Sequence, residues 1–492
     1  MGARTGQQVV ERLQSHPREI YYQGQRVEDV TSHPAFKNGV RSLAALYDLQ
    51  HQYPDEMTYP SPSTGEPVGL SFLTPRTRED LPRVRAMMKR WADYSGGMMG
   101  RTPDYLNRAV MAYANASAYM AENRPEFGDN TRRYYEYVRE NDLSLTHTLI
   151  NPQANRAVGP GQQADPYLAA RVVRETDSGF ILRGARMLAT LPIADEIMVF
   201  PSTVLKGTAE DEPYAFAFAL PCDTPGMKFL CRESFDYGRS HFDHPLGSRF
   251  EEMDAVVVFD DVLVPWERVF LFGDVQRCNR AFAATNSVVH MAHQVITKNI
   301  AKTEFLLGIA SLIVDTIGIE QYQHIHEKIA EMLVNLEAMR AFVRASEADA
   351  ALDRWGVMTP AWPPLDAARN LFPRLYPRMV EILQLLGASG FMALPTEADL
   401  RNETLRPMID KYFQAARADA HDRVQLFRLA WDAALSAFGS RQVLYERFFF
   451  GDPVRMAGAM FTNHDRSVYM DRVREFLNRA EAETEEPLPL SS

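Results

Sequence analysis

The chain has 492 residues, 46% hydrophobic and 24% charged, enough for two or three domains with sizeable cores and too apolar for a disordered protein. A net charge of -11 with no basic run argues against a nucleic-acid or anionic-membrane surface and leaves a small-molecule partner as the expectation. Cys222, Cys231 and Cys278 form no CxxC pair, which argues against a disulfide framework and a cysteine-rich metal site.

Met1 to Gly6 lacks the apolar core of a secretory signal, and the apolar run Phe305 to Ile319 is too short to span a bilayer and holds Asp315. A soluble, cytoplasmic protein is expected. Thr5 to Ser15 reads as an amphipathic helix, and Tyr21 to Val27 as a hairpin-like turn with Gly24 at its corner. Apolar spacing of three to four predicts helices over Asn38 to His51, Arg78 to Tyr94, Pro103 to Glu122 and Asn130 to Asn141, so residues 1–145 form an α-helical domain.

From Thr146 the pattern turns to strands. Ala169 to Glu175 and Phe180 to Arg186 make a hairpin, and Glu196 to Leu205, Tyr214 to Pro221 and Ala255 to Asp260 are further β runs. Residues 146–275 are thus a middle β domain, a small barrel or sandwich; no phosphate-binding GxGxxG or GxxxxGK[ST] loop suggests a Rossmann sheet. Val288 to Ile317, His324 to Ala351, Leu371 to Leu386 and Met408 to Phe438 predict a C-terminal four-helix bundle over residues 276–480, with Thr359 to Pro364 as one connection. An acidic tail, 481–492, is expected to fray. The fold class is α+β, mostly α.

The stretch Gly96 to Tyr105 holds the strongest chemical signal. Thr102 suits an N-cap, Pro103 the first helical position and Asp104 the first turn, so Arg101 and Tyr105 converge beside a helix N-terminus, a corner for an anion or phenolate. Gly96, Gly97 and Gly100 permit close backbone approach, and Met98 and Met99 offer soft contacts to a planar ring. From this stretch alone an ordinary loop-to-helix junction with a solvated arginine is the better reading.

His147, where the helical domain meets the β domain, is either a proton acceptor or a hydrogen-bonded core residue. Thr190 leaves a hydroxyl at a strand end. Ser202 and Thr203 hold a small carboxylate or mark a strand kink. Gln384 to Gly390 is a glycine helix cap or a nucleotide contact, and Phe448 to Arg455 is packing or a flavin rim. His290 with His293, and His241 with His244, read as packed or solvated side chains, so no metal is expected.

Gly100-Arg101-Thr102-Pro103-Asp104-Tyr105, Thr146 to Gln153, Leu188-Ala189-Thr190, Tyr445 to Phe448 and Gly451-Asp452-Pro453 together resemble the two-component flavin monooxygenase family typified by 4-hydroxyphenylacetate 3-hydroxylase. The resemblance spans nearly the whole chain. It implies an acyl-CoA dehydrogenase-like fold: N-terminal helical domain, middle β-barrel domain, C-terminal four-helix bundle. Gln384 to Gly390 looks like the QxxGGxG element of those dehydrogenases, with Ala388 replacing its second glycine.

The resemblance also implies reduced FAD (FADH2) made by a separate NAD(P)H:flavin reductase, reaction with O2 to a flavin C4a-hydroperoxide, and ortho-hydroxylation of a phenol. The substrate it favours is 4-hydroxyphenylacetate, giving 3,4-dihydroxyphenylacetate in aromatic catabolism; a chlorophenol, coumarate, tyrosine derivative or carrier-tethered phenol is the alternative. By the same resemblance Arg101, Tyr105 and His147 are catalytic and surround the substrate hydroxyl, while Ser202 and Thr203 contact its carboxylate. His147, Thr148, Leu149, Gln153, Ala154, Asn155, Arg156, Thr190, Phe450, Gly451, Asp452 and Pro453 correspond to flavin contacts, and a homotetramer, a dimer of dimers, is implied.

A phenol with a pKa of about 10 needs about 4 kcal/mol to ionise at neutral pH, which a cation and a base must supply. The polar segment Lys206 to Pro213 reads as a lid. Two other enzymes fit less well. The related fold of 4-hydroxybutyryl-CoA dehydratase needs cluster thiolates that are missing near Arg101 and His290, and an acyl-CoA dehydrogenase needs a carboxylate base.

Overall fold

Local capping signals set the first elements of the computed structural model, which describes residues 2–203 and 205–485. Thr5 and Gln8 close a capping box on the helix Gly6–Ser15. Gln23 and Gly24, both at positive φ, make the two-residue turn between β1 (Glu19–Tyr22) and β2 (Gln25–Val27). Helices Lys37–Gln52, Asp80–Tyr94 and Pro125–Glu140 follow the apolar spacing. The helix expected over Pro103 to Glu122 is two, Asp104–Asn115 and Ser117–Ala121. The Asn115 amide donates to the Met111 carbonyl at 2.9 Å, competing with the backbone at the break.

A small hairpin, β3 (Thr58–Pro60) and β4 (Pro67–Gly69), precedes the main β layer. That layer comprises β5 (Leu145–Thr148), β6 (Arg171–Thr176), β7 (Gly179–Thr190), β8 (Glu196–Val199), β9 (Phe216–Pro221), β10 (Met227–Cys231), β11 (Asp254–Pro265) and β12 (Val269–Phe272). They pair as two sheets, ordered β2-β1-β10-β11-β7-β6 and β12-β9-β8-β5, with an Ile150–Met187 bridge at one seam. The β1–β2 hairpin therefore belongs to the β layer, since β1 runs parallel to β10 and buries Ile20. Between the sheets Phe180 packs on Phe272, ring centroids 4.9 Å apart, and on Trp266 at 5.8 Å.

The C-terminal helices are Val275–Ala284, Ser287–Ile317, Gln323–Ala348, Trp362–Gly387, Glu397–Arg401, Arg406–Tyr412, Ala420–Ala434, Ala437–Phe448, Pro453–Asn463 and Ser467–Glu485. Three expectations are corrected here. Met408 to Phe438 is not one helix, because Asp419 and Ser436 accept the backbone N–H groups of Asp422 and Gly439 and start new ones. Thr359 to Pro364 is not all connection: Thr359 closes the small pair β13 (Ala351–Leu352) and β14 (Met358–Thr359), and Trp362 opens a helix whose first turn takes two prolines. The acidic tail is helical through Glu485, and 486–492 lie outside the described residues.

Ser287–Ile317 is the axle. It packs on Asp80–Tyr94, Asp104–Asn115, Gln323–Ala348 and Trp362–Gly387, so the helical blocks on either side of the β layer share one buried rod. Among the described residues no helix is long and apolar enough to cross a membrane.

Candidate active site

Thr102 does not cap the helix behind it. That helix starts at Asp104, and Gln294 Nε2 donates to both Thr102 Oγ1 (3.3 Å) and Asp104 Oδ2 (3.1 Å). Burial pushes the Asp104 carboxyl up to about 6. Tyr105 is consequently the second helical residue, one earlier than the sequence pattern places it.

The glycines before it serve the protein rather than a ligand ring. A Cβ on Gly97 would lie 2.8 Å from the Lys302 backbone nitrogen, and one on Gly100 would lie 2.2 Å from the Tyr445 hydroxyl. Gly96 and Gly97 also sit at φ 57° and 72°. They let the C-terminal bundle close against the loop, while Met98 and Met99 are fully buried core residues.

Arg101 is held at three points. Its backbone N–H donates to Glu252 Oε1 (2.6 Å), Nη1 donates to the Tyr445 hydroxyl (2.8 Å), and its guanidinium carbon lies 4.6 Å from the Phe449 ring and 4.9 Å from the Tyr105 ring. Its Nε is buried without a partner. His147 reaches the same place from β5, with its ring 5.7 Å from Tyr105 and 5.1 Å from Phe200. Its Nδ1 is also buried without a partner.

Burial, then the Arg101 charge, holds the His147 imidazole well below its ordinary range, so it is neutral at pH 7 and able to accept a proton. Burial pushes the Tyr105 hydroxyl up to about 12, which keeps it protonated. An unpaired buried polar atom costs roughly 1–3 kcal/mol. One donor, Arg101 Nε, and one imidazole nitrogen beside an aromatic wall match the two needs of a bound hydroxyl on a ring.

The remaining sequence candidates fall around this cluster. β5 pairs with β8 in parallel, His147 opposite Met198, and Phe200 N–H donates to the Thr148 carbonyl at 3.0 Å. The next turn carries Ser202, buried, and Thr203, half-buried. Thr190 ends β7 between Leu188 and Leu191, both at positive φ, and its hydroxyl donates to Asp254 Oδ1 at 2.7 Å. Its carbonyl accepts from the Thr146 hydroxyl.

Thr148 Oγ1 donates to the Met187 carbonyl (2.7 Å), and the Leu149 carbonyl accepts from Arg186 (2.6 Å). Gln153, Ala154, Asn155 and Arg156 form an exposed loop, where Gln153 folds back on the Asn151 carbonyl at 2.9 Å. Phe450 packs on Phe449 at 5.3 Å, Gly451 turns the chain at φ 119°, and Asp452 caps the helix beginning at Pro453. Among the described residues no hydrogen bond or ring contact joins the 153–156 loop or Asp452 to the Arg101 cluster.

Arg441, Tyr445 and Phe449 recur every four residues along Ala437–Phe448 and its end. Sequence reasoning passed over Arg441, and it gave Tyr445 no role of its own although it lies in the Tyr445 to Phe448 motif. Arg441 grips Asp254 with two nitrogens (2.7 and 3.0 Å) and Glu252 with a third (3.4 Å). Against the cost of burial, Arg441 and then Arg232 hold the Asp254 carboxyl far below its ordinary value. One arginine thus ties the Thr190 strand end to the Arg101 backbone.

Elsewhere, His293 Nε2 lies 2.8 Å from Glu347, and His241 Nδ1 lies 2.7 Å from the Ser248 hydroxyl. At Gly387 a Cβ would lie 2.1 Å from Phe391, so the small residues there admit a ring of the chain itself.

A helical block, a two-sheet β layer and a helical bundle closing on a buried, aromatic-walled arginine define an α+β, mostly α protein with its candidate site where the three parts meet. Family models described as 4-hydroxyphenylacetate 3-hydroxylase match the chain, the N-terminal one over residues 5–271 and the C-terminal one over 278–478. The protein belongs to the 4-hydroxyphenylacetate 3-hydroxylase family. It is 53% identical to the 4-hydroxyphenylacetate 3-monooxygenase oxygenase component of Geobacillus sp. (strain PA-9), over 98% of each chain.

A crystal structure of the oxygenase component of 4-hydroxyphenylacetate 3-monooxygenase, complexed with FAD and 4-hydroxyphenylacetate, superposes with a TM-score of 0.94. It is 52% identical, over 98% of this chain and 100% of that one. A 4-hydroxybutyryl-CoA dehydratase from N. maritimus, 21% identical, shares the fold at a TM-score of 0.87, over 99% of this chain and 97% of that one.

Proposed function

We propose that this protein is the oxygenase component of a two-component monooxygenase that uses reduced FAD and O2 to hydroxylate 4-hydroxyphenylacetate at the ring carbon next to its hydroxyl, giving 3,4-dihydroxyphenylacetate. The observation that carries the reading is the pair of unpaired buried nitrogens, Arg101 Nε and His147 Nδ1, on side chains that both pack against the Tyr105 ring.

Arg101 donates from Nε to the substrate oxygen, and the neutral His147 takes the phenol proton at Nδ1. The charge formed on the ring oxygen is then paired with a guanidinium already fixed by Glu252 and Tyr445, so little reorganisation is needed. Tyr105, kept protonated, hydrogen-bonds the same oxygen. Ser202 and Thr203 hold the carboxylate at the far end.

Reduced FAD, delivered by a separate NAD(P)H:flavin reductase, supplies oxygen activation when bound. The residues present fit it: Ile150 and Leu188 are exposed apolar side chains beside Thr148, Leu149 and Thr190, suited to a ring. Gln153 to Arg156, with Arg156 exposed, suits phosphates. Phe450 to Pro453 completes that cradle. Lys206 to Pro213, which includes most of a 3-10 turn over Ala209–Tyr214 packed against residues 160–162, has the role of a lid that keeps water out in this reading.

A homotetramer, a dimer of dimers, is supported by Phe461, Val468, Met470, Val473, Phe476 and Leu477, each more than half exposed on the last two helices. A second copy covers them. The enzyme is cytoplasmic in this reading.

The experiment is aerobic mixing of the protein with chemically reduced FAD and a panel of para-substituted phenols, with products identified by mass. 3,4-Dihydroxyphenylacetate is expected. Bleaching of oxidised FAD by an acyl-CoA, with no hydroxylated product from any phenol, would replace the reading with a dehydrogenase.

A further inference from the structure

Behind Tyr445 lies a buried charge cluster that no step above uses. Glu446 Oε1 accepts from two ammonium groups, Lys298 Nζ at 2.5 Å and Lys302 Nζ at 2.6 Å, with all three side chains 1–2% exposed. Lys302 also donates to Gln442 Oε1 at 2.8 Å. The lysines are one turn apart on Ser287–Ile317, and Gln442 and Glu446 one turn apart on Ala437–Phe448. Two cations sharing one carboxylate in a bundle interior is a costly way to fill space, since three ions lose water and only one pair is balanced.

The cluster is joined to the phenol pocket through Tyr445. Arg101 donates to the Tyr445 hydroxyl, and the Lys298 and Lys302 ammoniums lie 5.3 and 5.9 Å from its ring centre. The charged groups facing this region are Arg101 and Glu252 from the loops, Asp254 on β11 with Arg232 and Glu251 behind it, and Arg441 on the Tyr445 helix. Tyr376 and the paired Arg369 and Asp366 come from Trp362–Gly387. In the connected set, Arg101, Arg232, Arg441, Lys298 and Lys302 are five cations against the four carboxylates Glu251, Glu252, Asp254 and Glu446. One positive charge is left over. Burial lowers the Lys302 ammonium to about 7, so this excess is held at the edge of its stability.

We propose that Lys298, Lys302 and Glu446 are positioning residues that hold one uncompensated positive charge behind Tyr445, and that this charge favours the ionised form of the phenol bound at Arg101. The proposal rests on the reading of Arg101 and His147 as the phenol pocket. It gives the network its missing anion: once the phenol proton has passed by way of His147 to solvent, the bound phenolate balances the set.

The test is a pH titration of bound 4-nitrophenol, whose phenolate absorbs visible light and whose neutral form does not, on the full-length protein with and without FAD. The wild type is expected to ionise the bound phenol at lower pH than water does. Lys298→Met and Lys302→Met each raise the midpoint by about one pH unit. Lys302→Arg keeps the charge and holds the wild-type value, and Glu446→Gln, which removes the counter-charge, does not raise it.

A purely structural role would move all of these variants in the same direction, and that outcome overturns the proposal, as does an unchanged midpoint in both methionine variants. Circular dichroism checks folding, and Lys298→Met carries the test if Lys302→Met does not fold. Arg101→Gln separates the two readings. If the wild type lowers the midpoint and Arg101→Gln leaves it there, the phenol pocket is misplaced. If Arg101→Gln abolishes the effect and the lysine variants do not, only the triad proposal fails.

Discussion

The His147 imidazole stands 5.7 Å from the Tyr105 ring with its Nδ1 buried and unpaired, although the two residues belong to different layers of the fold, a β strand and a helix start. His147→Ala is expected to bind reduced FAD as the wild type does and to lose hydroxylation by ~10²–10⁴-fold, with oxygen consumption diverted to hydrogen peroxide. Product formed per flavin oxidised measures this. An unchanged yield would remove His147 from the proton transfer.

Gly100→Ala places a Cβ 2.2 Å from the Tyr445 hydroxyl and must push that ring off Arg101. Overpacking of this kind costs about 1–3 kcal/mol. The expected variant melts lower and binds 4-hydroxyphenylacetate more weakly in calorimetry. Wild-type affinity at a lowered Tm would mean that the Arg101–Tyr445 bond has no part in binding.

Arg441 is the partner of the buried Glu252 and the partly buried Asp254, so Arg441→Met is expected to cost about 3–5 kcal/mol in chemical denaturation at neutral pH. The pH dependence follows from Asp254, whose folded carboxyl lies below its ordinary 3.8. A depressed carboxyl stabilises the fold above the unfolded value and loses that contribution as pH falls toward the folded one. The wild-type advantage over Asp254→Asn should therefore be full at pH 6 and shrink on acidification below about 4. An advantage independent of pH would show that the carboxylate's charge is not what binds the two arginines.

Phe476 and Leu477 are exposed side by side on the last described helix. If the proposed homotetramer forms through these helices, the double change Phe476→Glu with Leu477→Glu is expected to give smaller species than the wild type in sedimentation velocity while leaving the circular dichroism spectrum intact. A wild-type sedimentation coefficient would place the subunit interface elsewhere.

Much of the helical framework was legible because an amphipathic helix shows its period to a reader of one chain: Gly6–Ser15, Lys37–Gln52, Asp80–Tyr94 and Ser287–Ile317 lie within two residues of expectation. The five-residue β10 was not, because so short a strand is fixed by β1 and β11 on its two sides rather than by its own pattern. Arg101, Tyr105 and His147 were singled out by residue type and position and given roles only by the family resemblance; the fold brings their side chains to one place. The shell that fixes them was missed: Glu252, Asp254 and Arg441 are ordinary polar residues in sequence, Tyr445 stood out only as part of a motif, and only the fold brings them together. Gly100 was noticed for the wrong reason, since what approaches it is Tyr445.

The central claim is that Arg101 pairs with the phenol oxygen during hydroxylation. The most direct measurement is a single turnover of reduced FAD with oxygen and 4-hydroxyphenylacetate in the wild type and in Arg101→Ala, counting 3,4-dihydroxyphenylacetate and hydrogen peroxide per flavin. The wild type should give mostly the catechol and Arg101→Ala mostly peroxide at a similar rate of flavin oxidation. Equal catechol yield from the two proteins would contradict the assignment.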